Sequence, residues 1–171
     1  MTQLKPPAGA TDHVQGPLDA PIVLVEYGDY ECPYCGEAYP QIKAVQAAMG
    51  GRLCFVFRNF PLANAHPHAL QAAGFAEAAA TIGRFWEMHD LLYEHQDRLD
   101  DASLVAYAKQ LGCSDELVAA ALRGDFEARV RQDFRSGARS GVNGTPCLFI
   151  NGVRFEGPAE AGALLEVFAG I

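Results

Sequence analysis

The sequence predicts an α/β fold carrying an inserted helical subdomain, and three observations predict it. Two buried-type apolar runs, Ile22-Val23-Leu24-Val25-Glu26-Tyr27 and Leu53-Cys54-Phe55-Val56-Phe57, flank a stretch with helical spacing. A long Ala-rich segment of helical periodicity follows. Near the C-terminus, two short apolar runs bracket Asn151-Gly152, the favoured dipeptide of a type I′ hairpin turn. With 171 residues, half of them apolar, the chain is long enough to bury the core of one compact domain.

The elements follow in order. Residues 1–20 hold several Pro, Gly and Asp and no long apolar run, and are expected to be a loosely held lead-in. Residues 22–27 are β-branched and nearly continuous in apolar character, as a buried strand should be. Gly28 to Glu31 turn the chain, and a helix runs over 33–49 through Ile42, Val45 and Met49 to a stop at Gly50-Gly51. Pro33 suits the first helical turn, where its missing N–H is no loss, whereas Pro40 predicts a kink. A second strand covers 53–58. The insert then supplies a helix from Ala69 to Ile82 and another marked by Phe85, Met88, Leu92 and Leu99. A third runs from Ala102 to Leu111, a short one is capped by Ser114, and a last carries Phe126, Val130 and Phe134. The strand Cys147–Ile150, the Asn151-Gly152 turn and the strand Val153–Phe155 form the hairpin, and Pro158 is expected to open a final helix through Leu164, Leu165 and Phe168. The chain so divides into a lead-in (1–20), the first half of a frame (21–62), a helical insert (63–141) and the second half of the frame (142–171).

Chemistry concentrates in Cys32-Pro33-Tyr34-Cys35, directly after the first strand and at the start of a helix. A thiolate at Cys32 would meet the free N–H groups and the positive dipole end of that helix, which lowers its pKa and raises its nucleophilicity. Cys35, one turn on, is within reach to attack a mixed disulfide formed at Cys32. A CxxC is also half of a zinc site, but Cys54, Cys113 and Cys147 are scattered singly, and His66-Pro67-His68 makes an awkward clamp. A purely structural bridge over so short a loop removes little chain entropy. Phe85 and Trp86 fit packing of the insert on the frame, and His89 and His95, six apart, are poorly spaced to share a metal.

The stretch from Val25 to Cys35 resembles the active-site segment of the DsbA-like branch of the thioredoxin superfamily, and Gly144-Thr145-Pro146-Cys147-Leu148-Phe149-Ile150-Asn151-Gly152 resembles its cis-proline strand and hairpin. Phe57-Arg58-Asn59-Phe60-Pro61-Leu62, His66-Pro67-His68-Ala69 and Gly83-Arg84-Phe85-Trp86-Glu87-Met88-His89 also resemble that family, and the likeness extends from about Asp12 to the C-terminus. The resemblance implies a thioredoxin-like fold with an inserted helical subdomain. It implies a thiol–disulfide oxidoreductase in which Cys32 attacks, Cys35 resolves, and Pro146 packs beside the dithiol with Thr145 before it. Pro33, Tyr34, Thr145 and Pro146 are then the candidate substrate-binding residues. Glu26 matches the family's acid beneath the site. A lone Glu in an apolar strand must be neutral or paired, and burial raises its pKa, so Glu26 either relays the Cys35 proton or pairs with a Lys or Arg.

Two positions depart from the family's pattern. Glu31 would oppose a Cys32 thiolate if its carboxylate points that way, and Cys147 stands where a hydroxyl or small residue is usual, as a core residue or as a third thiol.

No cofactor or metal is implied. A net charge of −8 argues against nucleic acid or an anionic membrane as partner, and no apolar run reaches the roughly 18 residues of a membrane span. The first twenty residues lack the apolar core of a secretory signal, so a cytoplasmic setting is expected, or a periplasmic one if the sequence is trimmed. The expected partners are protein thiols and disulfides. The Pro-Tyr dipeptide, shared with glutaredoxins, adds glutathione or another small thiol. Two other readings remain: a glutathione-dependent isomerase or transferase on the same fold, and a non-catalytic redox- or zinc-binding interaction module.

Overall fold

In a computed structural model, which describes residues 2–171, a five-stranded sheet has the order β1-β3-β2-β4-β5. The strands are β1 (His13–Gln15), β2 (Ile22–Gly28), β3 (Leu53–Asn59), β4 (Cys147–Ile150) and β5 (Val153–Phe155). Helix α1 (Pro33–Met49) connects β2 to the parallel β3. Between β3 and β4 lie α2 (Ala69–Ala80), α3 (Phe85–Glu94), α4 (Asp101–Gln110), α5 (Asp115–Leu122) and α6 (Glu127–Arg139), and α7 (Ala161–Ala169) follows β5. The result is a thioredoxin-like frame interrupted by five helices.

Strand alternation divides the core into two layers. Ile22, Leu24, Phe55, Phe57, Leu148 and Ile150 face α1 and the insert, where Cys35, Ile42, Val45, Phe75, Met88 and Leu92 meet them. Val25, Tyr27, Cys54, Val56, Cys147 and Phe149 face the other way, against Leu4, Phe60 and Val142. Coverage on both faces explains why β2 and β3 read as continuous apolar runs. At the hairpin, Asn151 (φ 48°) and Gly152 (φ 81°) adopt the left-handed backbone a type I′ turn needs. Asn151 Oδ1 also accepts from the Val23 N–H at 2.8 Å, fastening the turn to β2.

The structure corrects two expectations. The lead-in is held rather than loose. β1 pairs antiparallel with the outer edge of β3, and Gln3 bridges Val153 beside β5, so the lead-in covers the two strand edges that would otherwise lie open. Leu4 is buried, and its N–H donates to the Gly152 carbonyl at 2.8 Å. The final helix starts at Ala161, not at Pro158, because Gln41 Oε1 of α1 takes the Ala161 N–H at 3.0 Å and sets the first turn there. Pro40 lies inside α1 without ending it.

Candidate active site

Strand β2 delivers the chain to the site through Gly28. A Cβ there would lie 2.5 Å from the Phe57 ring and 2.8 Å from the Tyr93 hydroxyl, so only glycine lets the strand end this close to the aromatic layer. The turn that follows is built around Asp29, whose buried carboxylate accepts from the N–H groups of Glu31 and Leu62, both at 2.8 Å, and meets His66 Nδ1 at 2.7 Å. The Asp29 carbonyl accepts from the Cys32 N–H at 3.1 Å. From the insert, Gln96 Nε2 donates to the carbonyls of Tyr30 (2.9 Å) and Cys32 (3.0 Å), while the buried Tyr30 hydroxyl meets His89 Nδ1 at 3.0 Å. Glu31 is turned away to accept from the His68 N–H at 2.7 Å, with His68 Nδ1 3.3 Å from its carboxylate, so its charge is engaged outside the dithiol.

Cys32 is the N-cap of α1 and Pro33 its first residue. Cys32 and Cys35 are both free thiols and both buried, and each shifts the other. The hydrogen bond from Cys35 is the largest influence on Cys32. Burial opposes it, and the N–H groups of Cys35 and Tyr34 add to it, so that Cys32 falls to about 5. Cys32 Sγ also lies 3.6 Å from the Thr145 carbonyl. Cys35 goes the opposite way, well above an ordinary thiol, chiefly by burial and then by that same hydrogen bond and the nearby Glu26 charge. The Thr145–Pro146 peptide is cis.

Glu26 sits on the α1-facing side of β2, almost wholly buried. Burial first, and the Cys32 charge second, raise it to about 8. Its Oε1 has no hydrogen-bond partner, and Lys43, which lines the same cleft, pairs with Asp90 at 2.8 Å instead. No Lys or Arg neutralises Glu26 among the described residues.

Of the candidates from the sequence, the structure brings together Cys32, Cys35, Thr145 and Pro146, with Glu26 beneath them and Tyr34, 70% exposed, on the rim. Cys147 stands apart: it pairs with Tyr27 across β2 and β4 and points into the layer opposite to Cys35, so it packs as a core residue. Cys54 shares that layer, and Cys113 is buried in the insert. The positioning roles of Asp29, Gln96 and His89 were not read from the sequence. They act across loops, and only Asp29, three residues before Cys32, carried a local signal in its turn-forming type.

Among the described residues, no group of three or more His, Cys, Asp or Glu is arranged to hold a metal ion, and no helix is long and apolar enough to cross a membrane.

Comparison with known proteins bears on this geometry. The family described as Thioredoxin matches residues 9–167. Among curated relatives, the Na(+)/H(+) antiporter NhaA 1 of Mycolicibacterium vanbaalenii is 44% identical over 166 residues, covering 95% of this chain and 27% of that protein. NhaA 3 of Salinispora tropica is 44% identical over 163 residues, covering 92% of this chain and 25% of that protein. The chain therefore spans about a quarter of the length of these curated relatives. Among solved structures, oxidised BdbD of Bacillus subtilis superposes with a TM-score of 0.83 at 23% identity, covering 93% of this chain and 91% of that one. The alpha-DsbA1 of Wolbachia pipientis gives 0.82 at 18% (95% and 92%), and MdbA, a thiol-disulfide oxidoreductase from Corynebacterium diphtheriae, gives 0.74 at 20% (90% and 88%). At these identities the likeness is one of fold.

Proposed function

This chain belongs to the thioredoxin family and has the DsbA-like fold, and from that premise we propose that it exchanges disulfides with protein thiols through the Cys32/Cys35 dithiol. The observation that carries the reading is the placement of two free, buried thiols one turn apart at the start of α1, Cys32 at its N-cap beside the cis Thr145–Pro146 peptide and Cys35 behind it, with Cys32 low enough to be a thiolate at neutral pH and Cys35 raised.

In the reductive direction, the Cys32 thiolate attacks one sulfur of a substrate disulfide. The substrate S–S bond breaks, a Cys32–substrate S–S bond forms, and one substrate thiolate leaves. Cys35 then loses its proton and attacks Cys32 Sγ, which breaks the mixed disulfide and releases the second substrate thiolate. The chain ends as the Cys32–Cys35 disulfide, and two electrons have passed to the substrate. Glu26 is the base for the second step. The Cys32 charge is one of the two causes that raise it, and that charge vanishes when Cys32 enters the mixed disulfide. Glu26 then gives its own proton to solvent more readily, and the resulting carboxylate can take the Cys35 proton at the step where Cys35 must lose it. The same path run backwards oxidises a substrate dithiol.

The test combines a redox titration with trapping. Purified protein is equilibrated in glutathione buffers and its free thiols are mass-tagged, and Cys35→Ser is used to capture the mixed disulfide at Cys32. A potential near about −200 to −270 mV fits a reductase and the cytoplasmic setting we propose with it, and one near about −120 to −180 mV fits an oxidant or isomerase. The same titration shows whether glutathione joins Cys32 as a mixed disulfide. If no Cys32–Cys35 disulfide forms in any buffer, the dithiol mechanism is wrong.

A further inference from the structure

A groove of about 470 Å³ runs past the Thr145–Pro146 wall of the Cys32 site. Its other walls come from α1, through Tyr34, Glu37 and Gln41, and from the approach to α7, through Glu160. Residues 34, 37 and 41 share one face of α1 by helical spacing, so Glu37 stands on the same wall as the exposed Tyr34. Glu160 occupies the N-cap of α7 but its side chain makes no capping hydrogen bond, and the neighbouring Ala161 N–H goes to Gln41 Oε1 at 3.0 Å. Its carboxylate is free beside the groove.

Both carboxylates are exposed, and among the described residues neither has an ion-pair or hydrogen-bond partner. Several other surface acids are paired: Asp90 with Lys43, Glu127 with Arg131 and Glu87 with Arg84. No Lys or Arg lines the groove. Two unpaired like charges on facing walls of one cleft attract a cation entering between them and repel an anion.

We propose that Glu37 and Glu160 are specificity-determining residues that select a polypeptide segment with Lys or Arg beside its reacting cysteine, and select against glutathione. This rests on the thiol–disulfide reading above. An extended segment laid along the Thr145 backbone as an added strand places the side chains flanking its cysteine in the groove. A basic flank there finds two carboxylates, whereas the two carboxylates of glutathione meet like charge.

The experiment uses three disulfide-looped peptides, identical except for Lys, Gln or Glu on both sides of each cysteine, together with oxidised glutathione. The second-order rate constant for reduction by the reduced protein is measured at low salt and at high salt. The proteins are wild type, the double variant Glu37→Gln/Glu160→Gln, and the charge-matched control Asp19→Asn/Glu116→Gln, whose sites lie outside the groove. The expected order in wild type is Lys over Gln over Glu, with about three- to tenfold between the extremes at low salt. That spread shrinks at high salt, collapses in the groove variant and persists in the control, and the glutathione rate rises in the groove variant alone. Equal rates for the three peptides in wild type, or a preference that survives in the groove variant, overturn the assignment while leaving the thiol–disulfide reading in place. Failure of every peptide and of glutathione to react overturns both.

Discussion

The Asp29 carboxylate meets the His66 imidazole at 2.7 Å, and this contact joins the turn that delivers Cys32 to the loop between β3 and α2. Asp29 also holds the N–H groups of Glu31 and Leu62, so one buried side chain organises both segments. The hydrogen bond to Asp29 is the chief cause that raises His66 above an ordinary histidine. Burial opposes it, and the charges of Asp29, Cys32 and Glu31 add to it.

A histidine raised by its folded-state partner stabilises the fold fully below its unfolded pKa, about 6.5, and loses that contribution as pH rises through the higher folded value. His66→Gln is therefore expected to be less stable than wild type by about 1 kcal/mol at pH 5.5, with the gap closing in alkali. Urea unfolding of both proteins at pH 5.5 and 9 measures this. An equal gap at the two pH values would show that the imidazole acts by packing and not by charge.

Cys32 provides a second prediction. Thiolate absorbance at 240 nm should rise with a midpoint near pH 5, the value its surroundings impose. Cys35→Ala removes the largest of those influences and should move the midpoint up. A midpoint that stays near 5 in Cys35→Ala would assign the acidity to the helix N-terminus alone.

Glu26 combines stability with function. A buried carboxyl raised to about 8 binds its proton more tightly in the folded than in the unfolded chain, so folding weakens as pH climbs from the ordinary carboxyl range towards 8. Glu26→Gln carries no such charge. In the reduced state it is expected to match wild type below about pH 4 and to exceed it by about 5 kcal/mol above pH 8.5, while resolution of the mixed disulfide by Cys35 slows by about 10²-fold or more. Stability is read by urea unfolding, and resolution by stopped-flow release of a dye-labelled peptide thiol. A variant no more stable than wild type in alkali would mean that water or a moving side chain solvates the carboxylate.

What was legible in the sequence follows from the range of each interaction. β2, α1 and β3 could be read because their apolar periodicities and the Gly50-Gly51 stop are local, and the hairpin because Asn151-Gly152 sets its own backbone. Cys32, Cys35, Thr145, Pro146 and Glu26 stood out as candidates because each lies in a short motif. β1 could not be read: three half-buried residues show no alternation, and what makes them a strand is the open edge of β3. Gln96 reaches Cys32 from 64 residues away, and no local pattern announces a side chain whose partners are two distant carbonyls. Glu31 looked hostile to a thiolate because the sequence could not place His68 where it captures the carboxylate.

The held lead-in yields the last prediction. Arg58, near the C-terminal end of β3, is almost wholly buried, and all its N–H-bearing nitrogens are engaged. Nε and one terminal nitrogen donate to the two Asp12 oxygens at 2.8 and 2.9 Å, and the remaining bonds go to the Pro6 and Pro7 carbonyls and the Tyr27 hydroxyl. Asp12→Asn strips the guanidinium of its counter-charge where water has little access, and is expected to destabilise the protein by about 3 kcal/mol at pH 7. Burial alone would raise the Asp12 carboxyl, but the Arg58 hydrogen bonds and the Gly9 N–H outweigh it and hold it below its usual range. Its contribution is thus complete above the unfolded value of about 3.9 and is lost as pH falls through the lower folded value. The gap between wild type and Asp12→Asn should accordingly be wide at pH 7 and narrow towards pH 3, as read by urea unfolding. A gap under about 0.5 kcal/mol at pH 7, the scale of an exposed ion pair, would mean that the lead-in releases Arg58 to solvent and does not fasten the sheet.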